Sequence, residues 1–174
     1  MTITRITQGI TLLFVIAIIV VFIIHLKNSN EIVEVSDEAY DFALEDVNGE
    51  IYQLSDFKGK PVVLNFFSTW CESCHEQSLS LIRFEKEYGD DIHIFTIVRA
   101  ESKRTLNKYI KKHGDMYGKR QFLFDFDTEV SERFGVVGQP ETIIIDENRI
   151  VVDHIVGPIS GEEIASLMTE WLSS

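Results

Sequence analysis

Residues 61–74 read Pro61-Val62-Val63-Leu64-Asn65-Phe66-Phe67-Ser68-Thr69-Trp70-Cys71-Glu72-Ser73-Cys74, and their reading decides the fold. From Pro61 to Phe67 the run is apolar apart from Asn65, as expected of a β-strand covered on both faces. That strand delivers the chain to two cysteines separated by two residues. Beyond them Leu79, Leu81, Ile82, Phe84 and Tyr88 form a broad apolar arc at helical spacing, ended by Gly89. Ile92-His93-Ile94-Phe95-Thr96-Ile97-Val98 is a second buried strand, and the separation between the two strands is that of a βαβ crossover. The cysteine pair is therefore expected at a strand-to-helix junction.

Upstream, Tyr40-Asp41-Phe42-Ala43-Leu44 and Ile51-Tyr52-Gln53-Leu54 flank Asn48-Gly49, a hairpin signal. Downstream, a basic amphipathic helix runs from about Ser102 to His113, followed by Phe122-Leu123-Phe124 and a helical turn from Thr128 to Phe134. Thr142–Asp146 pairs naturally with Ile150–Val156 through a turn at Glu147-Asn148. The last helix starts at Ser160-Gly161-Glu162-Glu163, a capping box, and runs to Leu172. The order ββ, βαβ, α, β, α, ββα gives an α/β fold: a central mixed β-sheet flanked by helices, with an N-terminal β-hairpin extension.

At 174 residues with 45% hydrophobic content the chain can fill one core of ordinary size without disulfide staples. The formal charge is −12, yet residues 1–27 hold two bases (Arg5, Lys27) and no acid, so the rest carries −14. A body that acidic repels nucleic acid, and no nucleic-acid partner is expected. Ile10–Leu26 is 17 residues without a charge except on His25. At about 1.5 Å per residue it spans roughly 26 Å, close to the hydrocarbon thickness of a bilayer. Residues 1–27 are read as a single uncleaved membrane anchor, because no small-x-small cleavage site follows and no polar face interrupts the run. No cysteine stands near its end to carry a lipid. Arg5 and the N-terminal amine against Lys27 place the body outside the cytoplasm. Residues 28–38, polar and acidic, are read as a stalk, and 39–174 as the folded domain.

Two cysteines exclude a multi-disulfide scaffold and a four-thiolate zinc site, leaving a redox pair, a haem attachment site or a metal-binding pair. At a helix start the free N–H groups and partial positive charge stabilise the thiolate of the first cysteine. Cys71 is then the nucleophile toward an external disulfide, and Cys74, one turn on, the resolving thiol. Glu72 opposes the helix dipole, which raises the Cys71 pKa and favours a reductant. A second element is Val137-Gly138-Gln139-Pro140-Glu141-Thr142, a proline just ahead of an apolar strand.

Asp41-Phe42-x-Leu44, Leu54-Ser55-Asp56-Phe57-Lys58-Gly59-Lys60-Pro61, Val63-Leu64-Asn65-Phe66, Thr69-Trp70-Cys71-x-x-Cys74 and Gly138-x-Pro140-x-Thr142-x-x-Ile145-Asp146 closely resemble the TlpA/ResA-like thioredoxins over residues 40–172. The resemblance implies a thioredoxin fold tethered outside the cytoplasm, a cis Pro140 facing the cysteines, and a Gln139 backbone offered to a substrate strand. It implies a disulfide-containing protein substrate, a membrane reductant that recycles the dithiol, and no cofactor or metal. Some members reduce apocytochrome c before haem attachment, and Pro140-Glu141-Thr142 looks most like that branch, where an acidic group borders the site. The catalytic set is thus Cys71, Cys74, Pro140 and Glu141, with Trp70, Gln139 and Glu72 contacting substrate. Three residues after the second cysteine, where members with a catalytic carboxylate often carry Glu, this chain has Gln77, with Glu76 before it. Tyr40-Asp41 stands where Ala-Pro is frequent. Asn65, where thioredoxins place a buried Asp, cannot titrate, so Glu141 or Glu76 is left to carry a proton; the bland reading of either is a solvated surface carboxylate.

Three other readings compete. Cys71-Glu72-Ser73-Cys74-His75 spells a c-type haem attachment motif, but attachment needs an accessible segment rather than a strand-helix junction. His75 is read instead as an exposed residue tuning the thiolate. Two thiolates and an imidazole suit a Cu(I) carrier, though His93, His113 and His154 share no spacing with the pair. A thiol peroxidase expects threonine three residues before the reactive cysteine, where Ser68 stands.

Overall fold

The computed structural model describes residues 12–21, 32–89, 91–114 and 121–172. Residues 1–31 and 32–174 are separate compact units. In the first, residues 12–21 form helix α1 with apolar side chains such as Leu12, Leu13 and Phe14 exposed. Both ends of the expected Ile10–Leu26 span lie outside the described residues, and no helix among the described residues is long and apolar enough to cross a membrane.

The second unit follows the expected order. It contains β1 (Ala43–Glu45), β2 (Ile51–Gln53), a 3-10 turn (Leu54–Phe57), β3 (Val62–Phe67), α2 (Glu72–Tyr88), β4 (His93–Arg99) and α3 (Lys103–His113). It continues through β5 (Gln121–Asp125), α4 (Glu129–Arg133), β6 (Glu141–Ile145), β7 (Val151–Val156) and α5 (Gly161–Leu172). Strands β5-β4-β3-β6-β7 make one sheet, with β3, β4 and β5 parallel and β6 and β7 antiparallel. All six residues of β3 are buried, which is why its sequence is a continuous apolar run rather than an alternating one.

Alternation distributes β3 between the two faces of the sheet, where its side chains join three clusters. Val62, Leu64 and Phe66 face Phe42, Leu54, Val130 and Phe134 beneath the hairpin and α4. Val63 packs with Leu81, Phe84 and Ile164 of α2 and α5, and Phe67 with Leu106 and Tyr109 of α3. Helices α2 and α5 approach closely: a Cβ on Gly161 would stand 2.6 Å from Cβ of Phe84, so only glycine fits there. The capping box is formed in both directions, Ser160 N–H to Glu163 Oε2 at 2.8 Å and Glu163 N–H to Ser160 Oγ at 3.2 Å.

Two boundaries differ from expectation. The hairpin strands are three residues each: after Gln53 the chain turns into the 3-10 segment Leu54–Phe57, where Asp41 Oδ1 accepts the Ser55 N–H at 2.8 Å. Residues 32–38, read as stalk, are bound to the domain. Val33 N–H donates to Arg133 O at 2.7 Å, Ser36 N–H to Val151 O at 2.8 Å, and Glu38 bridges Ile150 beside β7. Their polar side chains face outward while the backbone makes the attachment, so composition alone misplaces the start of the domain.

Candidate functional site

Strand β3 ends at Phe67, and the next residues are held before the helix begins. Thr69 donates its N–H to Glu101 Oε1 at 2.7 Å and its hydroxyl to Glu101 Oε2 at 2.6 Å, fastening the loop to the segment ahead of α3. The Cys71 N–H donates to Ser68 O at 3.2 Å. Cys71 is the N-cap of α2, and its Sγ accepts the Cys74 N–H at 3.2 Å, so the sulfur occupies the place a capping oxygen usually takes. Cys71 and Cys74 are joined as a disulfide with Cα atoms 5.2 Å apart. Cys71 is 8% exposed and Cys74 0%, while Trp70 and Glu72 are open to solvent. The first cysteine alone reaches the surface, under N–H donors that favour a thiolate there once the disulfide is reduced.

Strand β6 runs antiparallel to β3 with Glu141 opposite Phe66, so the Gln139-Pro140 segment lies at the sheet end from which the cysteines emerge. The Gln139–Pro140 peptide is cis. Pro140 is buried and Gln139 half-buried; Pro140 O accepts the Gly157 N–H at 3.0 Å. Glu141 is 1% exposed. Its Oε1 accepts the N–H groups of Val137 at 3.0 Å and Gly138 at 2.6 Å, and its Oε2 accepts from His154 Nε2 at 2.7 Å. The bland reading of Glu141 as a solvated surface carboxylate does not hold: the side chain is turned inward, where two loop amides and an imidazole compensate its charge.

Beneath the cysteines lies a neutral polar set. Gln77 donates from Nε2 to Asn65 Oδ1 at 3.0 Å and to Thr142 Oγ1 at 2.9 Å, and its Oε1 accepts the Ile159 N–H at 2.9 Å. Asn65, Gln77 and Thr142 are all buried, and none titrates in the ordinary range. Asn65 Nδ2 and Ser68 Oγ, both buried, find no hydrogen-bond partner among the described residues. Glu76 is exposed on α2.

His75 departs from its expected place. It is half-buried with Nδ1 2.7 Å from the Tyr109 hydroxyl, and its ring centroid lies 4.5 Å from that of His113. Partial desolvation, then the neighbouring His75 and Lys112, hold the His113 pKa below its ordinary value, while Glu72 acts against them. The fold thus gathers histidines whose spacing in sequence showed no relation. Among the described residues no group of three or more His, Cys, Asp or Glu side chains is placed to hold a metal ion.

A family model described as the AhpC/TSA family matches residues 35–154. The chain is 30% identical over 139 residues to the thiol-disulfide oxidoreductase ResA of Bacillus subtilis (strain 168), covering 79% of this chain and 76% of that one. It is 27% identical over 132 residues to the thioredoxin-like protein YneN of the same organism, covering 76% and 77% of the two chains. Among solved structures, the pneumococcal exposed lipoprotein thioredoxin of Streptococcus pneumoniae strain TIGR4 superposes with a TM-score of 0.68 at 30% identity, covering 75% of this chain and 99% of that one. With the strand-helix junction, the cysteine pair and the cis proline in place, the chain belongs to the AhpC/TSA family and, within it, to the ResA-like thiol-disulfide oxidoreductases.

Proposed function

We propose that this thiol-disulfide oxidoreductase reduces disulfides in envelope proteins on the outer side of a cell membrane, with apocytochrome c its foremost substrate. The observation that carries the chemistry is the asymmetry of the pair: Cys71 caps α2 at the surface while Cys74 is wholly buried. In the reduced protein the Cys71 thiolate attacks one sulfur of the substrate disulfide, and the other leaves as a thiolate that takes up a proton. Cys74 gives up its proton and attacks Sγ of Cys71, expelling the second substrate thiolate and forming the internal disulfide. Two electrons pass to the substrate, and a membrane reductant of the thiol class restores the dithiol.

Pro140 and Gln139, at the sheet end from which the cysteines emerge, and the exposed Trp70 are the surface proposed to meet a substrate strand, and Glu72 adds a negative charge beside Cys71. The apocytochrome assignment rests on Pro140-Glu141-Thr142, which resembles the cytochrome c maturation branch of the family. The anchor rests on the uncharged run Ile10–Leu26. Its test is fractionation: the full chain should stay with membranes after carbonate washing, and protease added outside the cell should reach residues 32–174.

The activity is tested by replacing Cys74 with Ser and isolating mixed disulfides on Cys71 from the envelope. Capture of an apocytochrome c through its haem-binding cysteines supports the full proposal. Capture of other envelope proteins keeps the reductase reading and removes the substrate assignment. Peroxide turnover faster than disulfide reduction would move the assignment to a thiol peroxidase.

A further inference from the structure

The buried Glu141 and the partly exposed His154 pair beside the loop that runs into the cis peptide, and Glu141 grips that loop. In the β6–β7 ladder Glu141 stands opposite Val156 and Ile143 opposite His154, so Glu141 and His154 share one face of the sheet. From there Glu141 Oε1 holds the N–H groups of Val137 and Gly138, and His154 Nε2 donates to Oε2 at 2.7 Å. The loop is fastened at both ends, by Glu141 before the cis bond and by Gly157 N–H on Pro140 O after it. At the first of these points the loop presents an exposed side chain, Val137, while the carboxylate that holds its N–H is withheld from solvent.

Removing the imidazole leaves Oε2 without the donor that compensates it. Water can then enter beside a carboxylate that is 1% exposed and compete for its oxygens, which weakens its hold on two backbone amides. The loop loses its fixed shape, while the cysteines, positioned by Ser68, Thr69 and Glu101, keep theirs. A loop fixed before binding spares the substrate the cost of ordering it.

We propose that His154 is a positioning residue: through Glu141 it fixes the Val137-Gly138 backbone, and so the surface on which a polypeptide substrate lies, without touching substrate or sulfur. The proposal rests on the reading of this chain as a reductase of polypeptide disulfides.

The experiment uses the full chain with Cys74→Ser, reduced, and two electrophiles that release the same coloured thiolate. One is an extended peptide whose cysteine is blocked as a mixed disulfide with 2-nitro-5-thiobenzoate; the other is the small symmetrical disulfide of that thiol. In each case Cys71 forms a new disulfide and nitrothiobenzoate leaves with the electron pair. His154→Ala should raise the half-saturating peptide concentration at least about threefold and leave the limiting rate and the small-disulfide rate within about twofold. His154→Gln, which keeps an N–H donor, should stay within about twofold of the parent. Should His154→Ala fail to fold by circular dichroism, His154→Asn, whose amide is too short to reach Oε2, replaces it under the same criteria. An unchanged half-saturation, a parallel loss with both electrophiles, or His154→Gln behaving as the alanine variant overturns the proposal. A parent that reacts with the small disulfide but shows no saturation with peptide sinks the polypeptide-reductase reading and this proposal with it; a saturating parent with unaltered variants sinks this proposal alone.

Discussion

Gln77, on the helix that starts at the cysteines, donates from Nε2 to Oγ1 of Thr142, two residues beyond the cis proline, at 2.9 Å. The same side chain bonds Asn65 of β3 and accepts the Ile159 N–H ahead of α5. One neutral amide thereby joins the two elements that make the site. Gln77→Ala strands a buried backbone N–H and two side-chain partners, so a loss of about 3 kcal/mol in urea unfolding is expected, less than the full penalty of each orphan because water can enter. Gln77→Glu keeps the acceptor for Ile159 and lets the Thr142 hydroxyl donate instead, so it should lose less. An alanine variant as stable as the parent would show that the network contributes nothing net.

Cys71 and Cys74 should differ sharply as nucleophiles once reduced. Cys71 caps the helix at the surface; Cys74 is enclosed by Phe67, Val98 and Leu106. Brief alkylation with iodoacetamide, read by peptide mass, should label Cys71 at least about tenfold faster, as exposure and thiolate character dictate. Equal labelling would remove the assignment of attacker and resolver.

The parts legible in the sequence are those set by short-range pattern. The apolar run into Cys71 and the helical arc after it gave the βαβ core, and Ser160 with Glu163 gave the start of α5. What the sequence hides is long-range pairing of polar groups. Thr69 with Glu101, Gln77 with Thr142, His75 with Tyr109 and Glu141 with His154 come from separate elements, and no periodicity links them. Only a candidate strand register could have raised the last pair, since Glu141 and His154 share a face once β6 and β7 pair. Residues 32–38 were hidden for another reason: their attachment is backbone hydrogen bonding, to which side-chain composition is blind.

His93 at the start of β4 meets the Phe57 ring edge-on with centroids 4.4 Å apart. Burial, then the charge of Lys60, holds its pKa below the ordinary histidine value. Above the unfolded pKa of about 6.5 the ring is neutral in both states and pH has no effect through it. As pH falls through that value the unfolded chain takes up a proton that the folded chain resists, so stability is lost toward acid. Because the ring keeps part of its solvent contact, the loss between pH 7.5 and 5.5 should be under about 1 kcal/mol. His93→Phe should flatten the stability profile over that range by this amount, measured from urea midpoints; a variant with the same slope as wild type would place the acid sensitivity elsewhere.

The junction between the two units is open to a direct test by truncation. A chain beginning at Ile32 keeps the bonds from Val33 to Arg133 and from Ser36 to Val151, the bridge from Glu38 to Ile150, and the packing of Val33 on the core. A chain beginning at Ala39 loses all of them. Three hydrogen bonds at about 1 kcal/mol net each, the third from Val151 N–H to Asp37 O within the bridge, with part of a valine side chain, give an expected loss of about 3 to 4 kcal/mol. For a domain of this size that lowers the melting temperature by roughly 6 to 15 °C, while the chain from Ile32 should melt with the parent. The loss reaches the site, because Ser36 and Glu38 hold the start of β7, the strand that carries His154. The chain from Ala39 should therefore also show weakened peptide saturation with its small-disulfide rate intact. Equal melting of the two truncations would return residues 32–38 to the role of a passive stalk.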